Sequence, residues 1–260
     1  MSFTIGGWNI GGAVLGASHQ TGKRPNLDYY EQLLDSRKAE VICLQEAHSY
    51  PDGRRSQVEE LAVRLGYGFH VAAPLSPSHI DPEAALSLGI ISRHPIRSSS
   101  LTMLPNPNLQ TRLNTGALWR MHNKGLLTAS IAVDGEDLMV TSGHVFPFHR
   151  FGASAQSAEF SRVFDDVSSH LMRSMRLGRS VVSIDLNDPN ATNLLASSIG
   201  RNRFQVAPSD HATTRKGRKQ DFLLYSADLR LLDVTILPTE SDHAYCEMSV
   251  ESNSEKTRNP

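Results

Sequence analysis

Residues 41–46 read Val41-Ile42-Cys43-Leu44-Gln45-Glu46. Four apolar side chains in a row, two of them β-branched, match a strand buried on both faces. An amide and a carboxylate stand where that strand ends. The same pattern recurs along the chain. Leu138 to Thr141, then Ser142-Gly143, lead to His144. Val181 to Ile184 lead to Asp185 and Asn187, and Trp8-Asn9 follows a first strand that begins at Phe3. Asp221 immediately precedes Phe222 to Tyr225, and Asp242-His243 precedes Ala244 to Val250. Strand ends are rigid platforms, so side chains placed there can converge on one cleft.

Further apolar runs, Leu88 to Ile91 and Leu126 to Val133, also read as strands. Between the strands lie three helical stripes. Asn26 can cap a helix that carries Leu27, Tyr30, Leu33 and Leu34. Val58, Leu61, Ala62 and Leu65 repeat at helical spacing, and Gly66 can end that helix. Phe160, Val163, Phe164, Val167 and Leu171 form the third stripe. Strands outnumber helices in a mixed order, which predicts sheets covered by helices and not an alternating βα array.

Composition narrows the classes. The chain has 260 residues, with 39% hydrophobic and 20% charged, the balance of a globular protein. Lys+Arg is 26 and Asp+Glu is 27, a net charge of −1, which excludes a globally basic nucleic-acid coat protein. The two cysteines, Cys43 and Cys246, sit in apolar runs and read as buried thiols, so neither a disulfide framework nor a cysteine zinc site is expected. No run approaches the ~18 apolar residues of a membrane helix, and no basic-then-apolar leader precedes Phe3. A cytoplasmic location and no membrane partner are the expectation. One domain over 1–250 with a disordered polar tail over 251–260 is expected.

The strand-end residues are carboxylates, amides and imidazoles. Carboxylate and amide oxygens suit hard cations such as Mg²⁺ or Mn²⁺. Imidazoles beside carboxylates suit proton transfer and stabilisation of developing negative charge. Singly, each also reads as a turn or capping residue.

The ordered set is more specific. W-N-I at 8–10, L-Q-E at 44–46, G-I-I-S-R-H-P-I at 89–96, K-G-L-L at 124–127, S-G-H at 142–144, D-L-N at 185–187, Q-D-F-L-L at 220–224 and S-D-H at 241–243 follow one another in that order. On these blocks the chain resembles the endonuclease/exonuclease/phosphatase superfamily of metal-dependent phosphohydrolases. The resemblance implies an α+β fold, a four-layer α/β/β/α sandwich of two mostly antiparallel sheets flanked by helices. It implies Glu46, Asn9 and Asp242 as the metal environment for Mg²⁺ or Mn²⁺, with Asn9 also reaching the phosphate. It implies His243 as a phosphate contact oriented by Asp221, Asp185 and Asn187 as the pair that places the attacking water and phosphate oxygens, and His144 as a further phosphate contact.

Departures mark this chain. Ile184 stands where many members have glycine, Gln220 where many have an apolar residue, and 152–156 lacks an arginine that many members carry. Arg150 is a candidate to replace it, whereas His149 reads as a packing residue. Arg215, Lys216, Arg218 and Lys219 place four cations directly before Asp221. They read either as a solvated loop or as a substrate-binding patch, with Lys219 nearest the cleft and few aromatics nearby to stack bases. The expected function is hydrolysis of phosphoester bonds in nucleic acid, DNA or RNA, or a nucleotide-like diester. A small-molecule phosphomonoesterase or pyrophosphatase is the alternative. A silent binding module of the same fold is a third.

Overall fold

The computed structural model describes residues 2–16 and 25–253. In chain order the strands are β1 (Ser2–Asn9), β2 (Val41–Ser49), β3 (Phe69–Pro77), β4 (Ala85–Ser92), β5 (Ile96–Met103), β6 (Gln110–Arg112), β7 (Leu118–Arg120), β8 (Gly125–Val133), β9 (Glu136–His144), β10 (Arg179–Asp185), β11 (Phe204–Val206), β12 (Asp221–Ser226), β13 (Leu229–Leu237) and β14 (Tyr245–Ser252). The helices are α1 (Leu27–Arg37), α2 (Gln57–Arg64), α3 (Ser161–Leu177) and the short α4 (Ala191–Leu194). One six-stranded sheet has the order β13-β14-β1-β2-β4-β3, the other β11-β12-β10-β9-β8-β5, and β6-β7 form a separate hairpin. Most neighbours are antiparallel; β1 with β2, and β9 with β10, are the parallel pairs.

The sheets pack face to face. Ile5, Cys43, Leu88 and Met248 from the first meet Leu127, Val140, Val181 and Leu223 from the second. Their outer faces are covered by helices. Val163, Phe164, Val167 and Leu171 of α3 pack on Val182, Ile184 and Leu224. Tyr30 and Leu34 of α1, with Val58 and Leu61 of α2, pack on Ile42, Leu44 and Ile91. The result is the expected four-layer α/β/β/α sandwich.

Local signals account for the helix ends. The Asn26 side chain accepts from the Tyr29 amide at 3.2 Å, and Gly66 follows α2 at φ 70°. Cys43 and Cys246 are both buried free thiols. The expected polar tail begins later than 251: Glu251 pairs with Ser2, and β14 continues to Ser252. Its last two residues, Glu251 and Ser252, are polar and half-buried, so the apolar run that marks the strand stops at Val250. The rest of that tail, 254–260, lies outside the described residues.

The sheets approach closely near the strand ends. A Cβ built on Gly7 would lie 1.9 Å from Ser183 Oγ of the facing β10. Two residues further along, Asn9 and Asp185 meet across the same gap. Gly7→Ala is therefore expected to destabilise the fold by about 1–3 kcal/mol, the usual cost of overpacking a dense core. Thermal or urea unfolding measures it, and an unchanged midpoint would contradict the close approach.

Candidate active site

A β-bulge sets the position of Glu46. The register between β2 and β4 shifts between Leu44 and Ala47, and Glu46 adopts a left-handed φ of 53°. Such a bulge re-aims a side chain at the edge of regular pairing. Glu46 thereby lines the cleft, while Gln45 crosses to the other sheet and donates to Ser142 Oγ at 3.1 Å. The second sheet aligns its own chemistry by register. Asp185 is paired with His144 on one side and with Asp221 on the other. His144 in turn pairs with Gly125, directly after Lys124. His243 precedes β14 and is bridged to Thr214.

The side chains form a connected network. Asn9 Nδ2 donates to Asp185 Oδ2 at 3.0 Å, and the Asn187 amide donates to Asp185 Oδ1 at 2.8 Å. Asn187 is held in the left-handed region at φ 54°, and its Nδ2 donates to the Val145 carbonyl at 3.0 Å. His243 Nδ1 lies 2.9 Å from Asp221 Oδ2. Lys124 Nζ donates to Glu46 Oε1 at 3.3 Å and to His144 Nε2 at 2.9 Å. Asp242 faces the same cleft, an open volume of about 510 Å³.

Burial and charge set the protonation states. Asp185 is 1% exposed; burial first, and then the Asp221 charge, push its carboxyl above the ordinary range. Burial opposes charge on His243, but Asp221 outweighs it and the imidazolium is held up to about 10. His144 is driven well below its ordinary value by burial and by Lys124, so it is neutral. Burial would raise Glu46, yet Lys124 prevails and holds it well below the ordinary range. The site thus combines an anion at Glu46, cations at Lys124 and His243, and a carboxyl at Asp185 with enhanced basicity.

The expected site residues Asn9, Glu46, His144, Asp185, Asn187, Asp242 and His243 line one cleft, and Asp221 lies directly behind His243. Arg215, Lys216 and Arg218 line an adjoining groove. Lys219 does not: its ammonium donates to the Ser209 carbonyl and lies 5.3 Å over the Phe222 ring, so it is not the cation nearest the cleft. Next to it, Gln220 faces the site and donates to the Asn187 carbonyl at 3.3 Å. His149 is exposed and lines the groove instead of packing.

Other cleft residues carry no such signal in the sequence. Lys124 stands in K-G-L-L, but nothing in the spacing points it at Glu46. Trp119, His79 and His122 also line the cleft. Trp119 comes from the β6-β7 hairpin, stacks on Phe151 at 5.0 Å and carries the Arg150 guanidinium 5.8 Å above its ring. An aromatic therefore does stand beside the cations, supplied by a segment about a hundred residues earlier in the sequence.

The donor set can be weighed against a hard cation. Glu46 and Asp242 bring carboxylates to one cleft that Asn9 also lines, its amide oxygen accepting from the Gly11 amide at 3.1 Å with a second lone pair to spare, the oxygen chemistry that Mg²⁺ and Mn²⁺ prefer. Asp185, Asp221 and His243 also bring ligand atoms within 4.8 Å of one another. In that second cluster the protonated His243 has no lone pair to give, and Asp221 is already its partner. The oxygen set with Glu46 fits a cation better.

The chain matches no protein-family model and no curated protein sequence. Solved structures do match. An endonuclease/exonuclease/phosphatase from Beutenbergia cavernae is 19% identical with a TM-score of 0.69, over 96% of this chain and 72% of that one. The chain has the endonuclease/exonuclease/phosphatase fold. The catalytic domain of human Nocturnin, with bound sulfate, shares this fold at 15% identity and a TM-score of 0.66, over 97% and 95% of the two chains. A mannosyl-6-phosphatase of Bacteroides thetaiotaomicron shares it at 10% identity and a TM-score of 0.62, over 96% and 99%.

Proposed function

We propose that the protein is a divalent-metal-dependent hydrolase of phosphoester bonds, acting as a phosphodiesterase on nucleic acid or a nucleotide-like diester. The convergence of Asn9, Glu46, Asp185, Asn187, Asp242 and His243 on one cleft carries the reading. Glu46, Asp242 and Asn9 would hold Mg²⁺ or Mn²⁺, which when bound neutralises charge on the phosphate oxygens. Asp185 is the water activator. Asn9 and the Asn187 amide fix its two oxygens, and its raised proton affinity suits a base working near neutral pH. His243, with Nδ1 held by Asp221, turns its other N–H toward the phosphate and stabilises the developing negative charge. Neutral His144 accepts from Lys124 and so orients that ammonium toward the cleft. Among the described residues no helix is long and apolar enough to cross a membrane. A cytoplasmic setting, where both thiols stay reduced, belongs to this proposal.

The test uses the purified protein with bis(p-nitrophenyl) phosphate, p-nitrophenyl phosphate, plasmid DNA and RNA. Exhaustive chelation is expected to abolish hydrolysis, and Mg²⁺ or Mn²⁺ to restore it. Diesters are expected to be better substrates than the monoester. Full activity after chelation would refute the metal role, and a strong preference for the monoester would favour a small-molecule phosphatase.

A further inference from the structure

The cleft continues past His243. Trp119, Arg150, Asp242 and His243 line both the reacting centre and a second groove of about 1460 Å³. Arg215, Lys216, Arg218 and His149 are among the other residues that line that groove. Arg150, Arg215, Lys216 and Arg218 give it three guanidinium groups and one ammonium.

The loop that carries three of them is tied down. The Thr213 and Thr214 amides both donate to the Arg218 carbonyl, at 2.9 and 3.0 Å. The Gly217 amide donates back to the Thr214 carbonyl at 2.9 Å, in a turn that needs the Gly217 φ of 73°. The Arg215 amide donates to the Asp242 carbonyl at 3.0 Å, and Thr214 is bridged to His243. The loop backbone is therefore fixed relative to the reacting centre, so its cations are carried at a set place on the groove rim.

Some arginines elsewhere are neutralised by a carboxylate, as Arg37, Arg54, Arg64 and Arg97 are. Among the described residues, Arg215, Lys216 and Arg218 have no carboxylate within ion-pair distance, and the Arg215 guanidinium donates to the Glu240 carbonyl at 3.2 Å. Partial enclosure by the groove first, and then Arg218 and Arg150, push His149 below its ordinary value, so these cations converge on one region. Like charges gathered on one groove repel each other, and a bound anion relieves that repulsion.

We propose that this groove is a second phosphate subsite, which takes a further phosphate of a nucleotide chain whose scissile phosphate lies at His243. The proposal rests on the phosphoester reading for what occupies the first site. A free phosphorylated dinucleotide and a longer single strand share this chemistry.

Binding is measured by fluorescence anisotropy in chelator, so that nothing is cleaved. The probes are a labelled thymidine dinucleotide with and without a terminal phosphate, and a labelled ten-residue strand. The parent is expected to bind the phosphorylated dinucleotide about tenfold more tightly than the bare one, as one charge-assisted phosphate contact provides. The variant Arg215→Gln/Lys216→Gln/Arg218→Gln is expected to lose that discrimination. For the ten-residue strand, its salt slope should fall by about 0.7 for each phosphate that the variant no longer neutralises. A circular-dichroism melt controls for folding, and the single Lys216→Gln serves if the triple variant is unstable.

Equal binding of both dinucleotides by the parent, or discrimination retained in the variants, overturns the proposal. A response confined to the ten-residue strand also overturns it, because a diffuse basic surface would give that result. Discrimination in a protein that hydrolyses no phosphoester would leave the subsite standing and remove the proposed activity. Hydrolysis without discrimination would do the reverse.

Discussion

Glu46→Gln is expected to lower kcat by about 10³-fold with the fold intact, within the several kcal/mol that a metal-held charge contributes to a phosphoryl transition state. Glutamine keeps the shape, and its oxygen can still accept from Lys124, which Glu46 now does at 3.3 Å. What disappears is the negative charge. That charge is maintained against burial chiefly by Lys124, so Glu46 is ionised throughout the working pH range. Without it, the ammonium of Lys124 faces the cation site unopposed, and like-charge repulsion should weaken metal binding as well as catalysis. Two measurements separate these effects. Calorimetric titration with Mn²⁺ is expected to show weaker binding, and kcat at saturating metal should remain depressed. Activity within tenfold of the parent would remove Glu46 from the metal environment. The bulge that carries Glu46 adds a second check. Its φ of 53° disfavours β-branched residues, so Glu46→Val should cost stability where glutamine does not.

Which parts of this architecture the sequence disclosed follows from burial. The apolar runs identified β1, β2, β4, β8, β9, β10, β12 and β14, which are the eight interior strands of the two sheets. Of the strands not read, β3, β5, β11 and β13 are the four edges of these sheets, and β6 and β7 form the separate hairpin. Interior strands are covered by neighbours and layers and need apolar side chains, whereas edges tolerate polar residues and proline. Hence β5 reads Ile96-Arg97-Ser98-Ser99-Ser100 and lacks an apolar run, and β3 contains Pro74 and Pro77. The face-to-face packing itself came from the resemblance and not from periodicity. For the site, short motifs at interior strand ends located Asn9, Glu46, His144, Asp185 and His243. Residues that enter from outside the sheets left no such trace. Trp119 arrives on a three-residue strand of a hairpin, and the reach of Lys124 to Glu46 depends on registers between strands distant in sequence. Lys219 shows the converse: adjacency to a basic run implied a direction that the alternation of side chains reverses.

Asp221→Asn is expected to cut kcat at pH 8 by about 10²-fold or more, in the range for one acid–base or electrostatic group. The hydrogen bond to His243 Nδ1 survives the change and the charge does not. In the parent, burial disfavours the imidazolium, but Asp221 outweighs it and holds the group up to about 10. Once the charge is gone, only Asp185 and Asp242 still oppose burial, and the pKa falls toward ~6.5, the ordinary value. The alkaline limb of the pH–rate profile should therefore move from near 10 to the acid side of neutrality. Asp185 should respond in the same direction, because the Asp221 charge is part of what raises its carboxyl. The whole activity window then shifts toward acid, and lowering the pH should recover part of the lost rate. A merely structural role for Asp221 would lower the rate without moving either limb. Stability carries the same signature. A histidine raised on folding stabilises the protein fully below ~6.5, and that contribution is lost as pH rises through about 10. The asparagine variant should thus lose stability relative to the parent most clearly below neutrality, and the gap should close at high pH. His243→Ala should be at least as damaging to kcat, and the double variant no worse than the more damaging single change, since the pair acts as a unit. Losses that add in the double variant would show that Asp221 and His243 contribute independently.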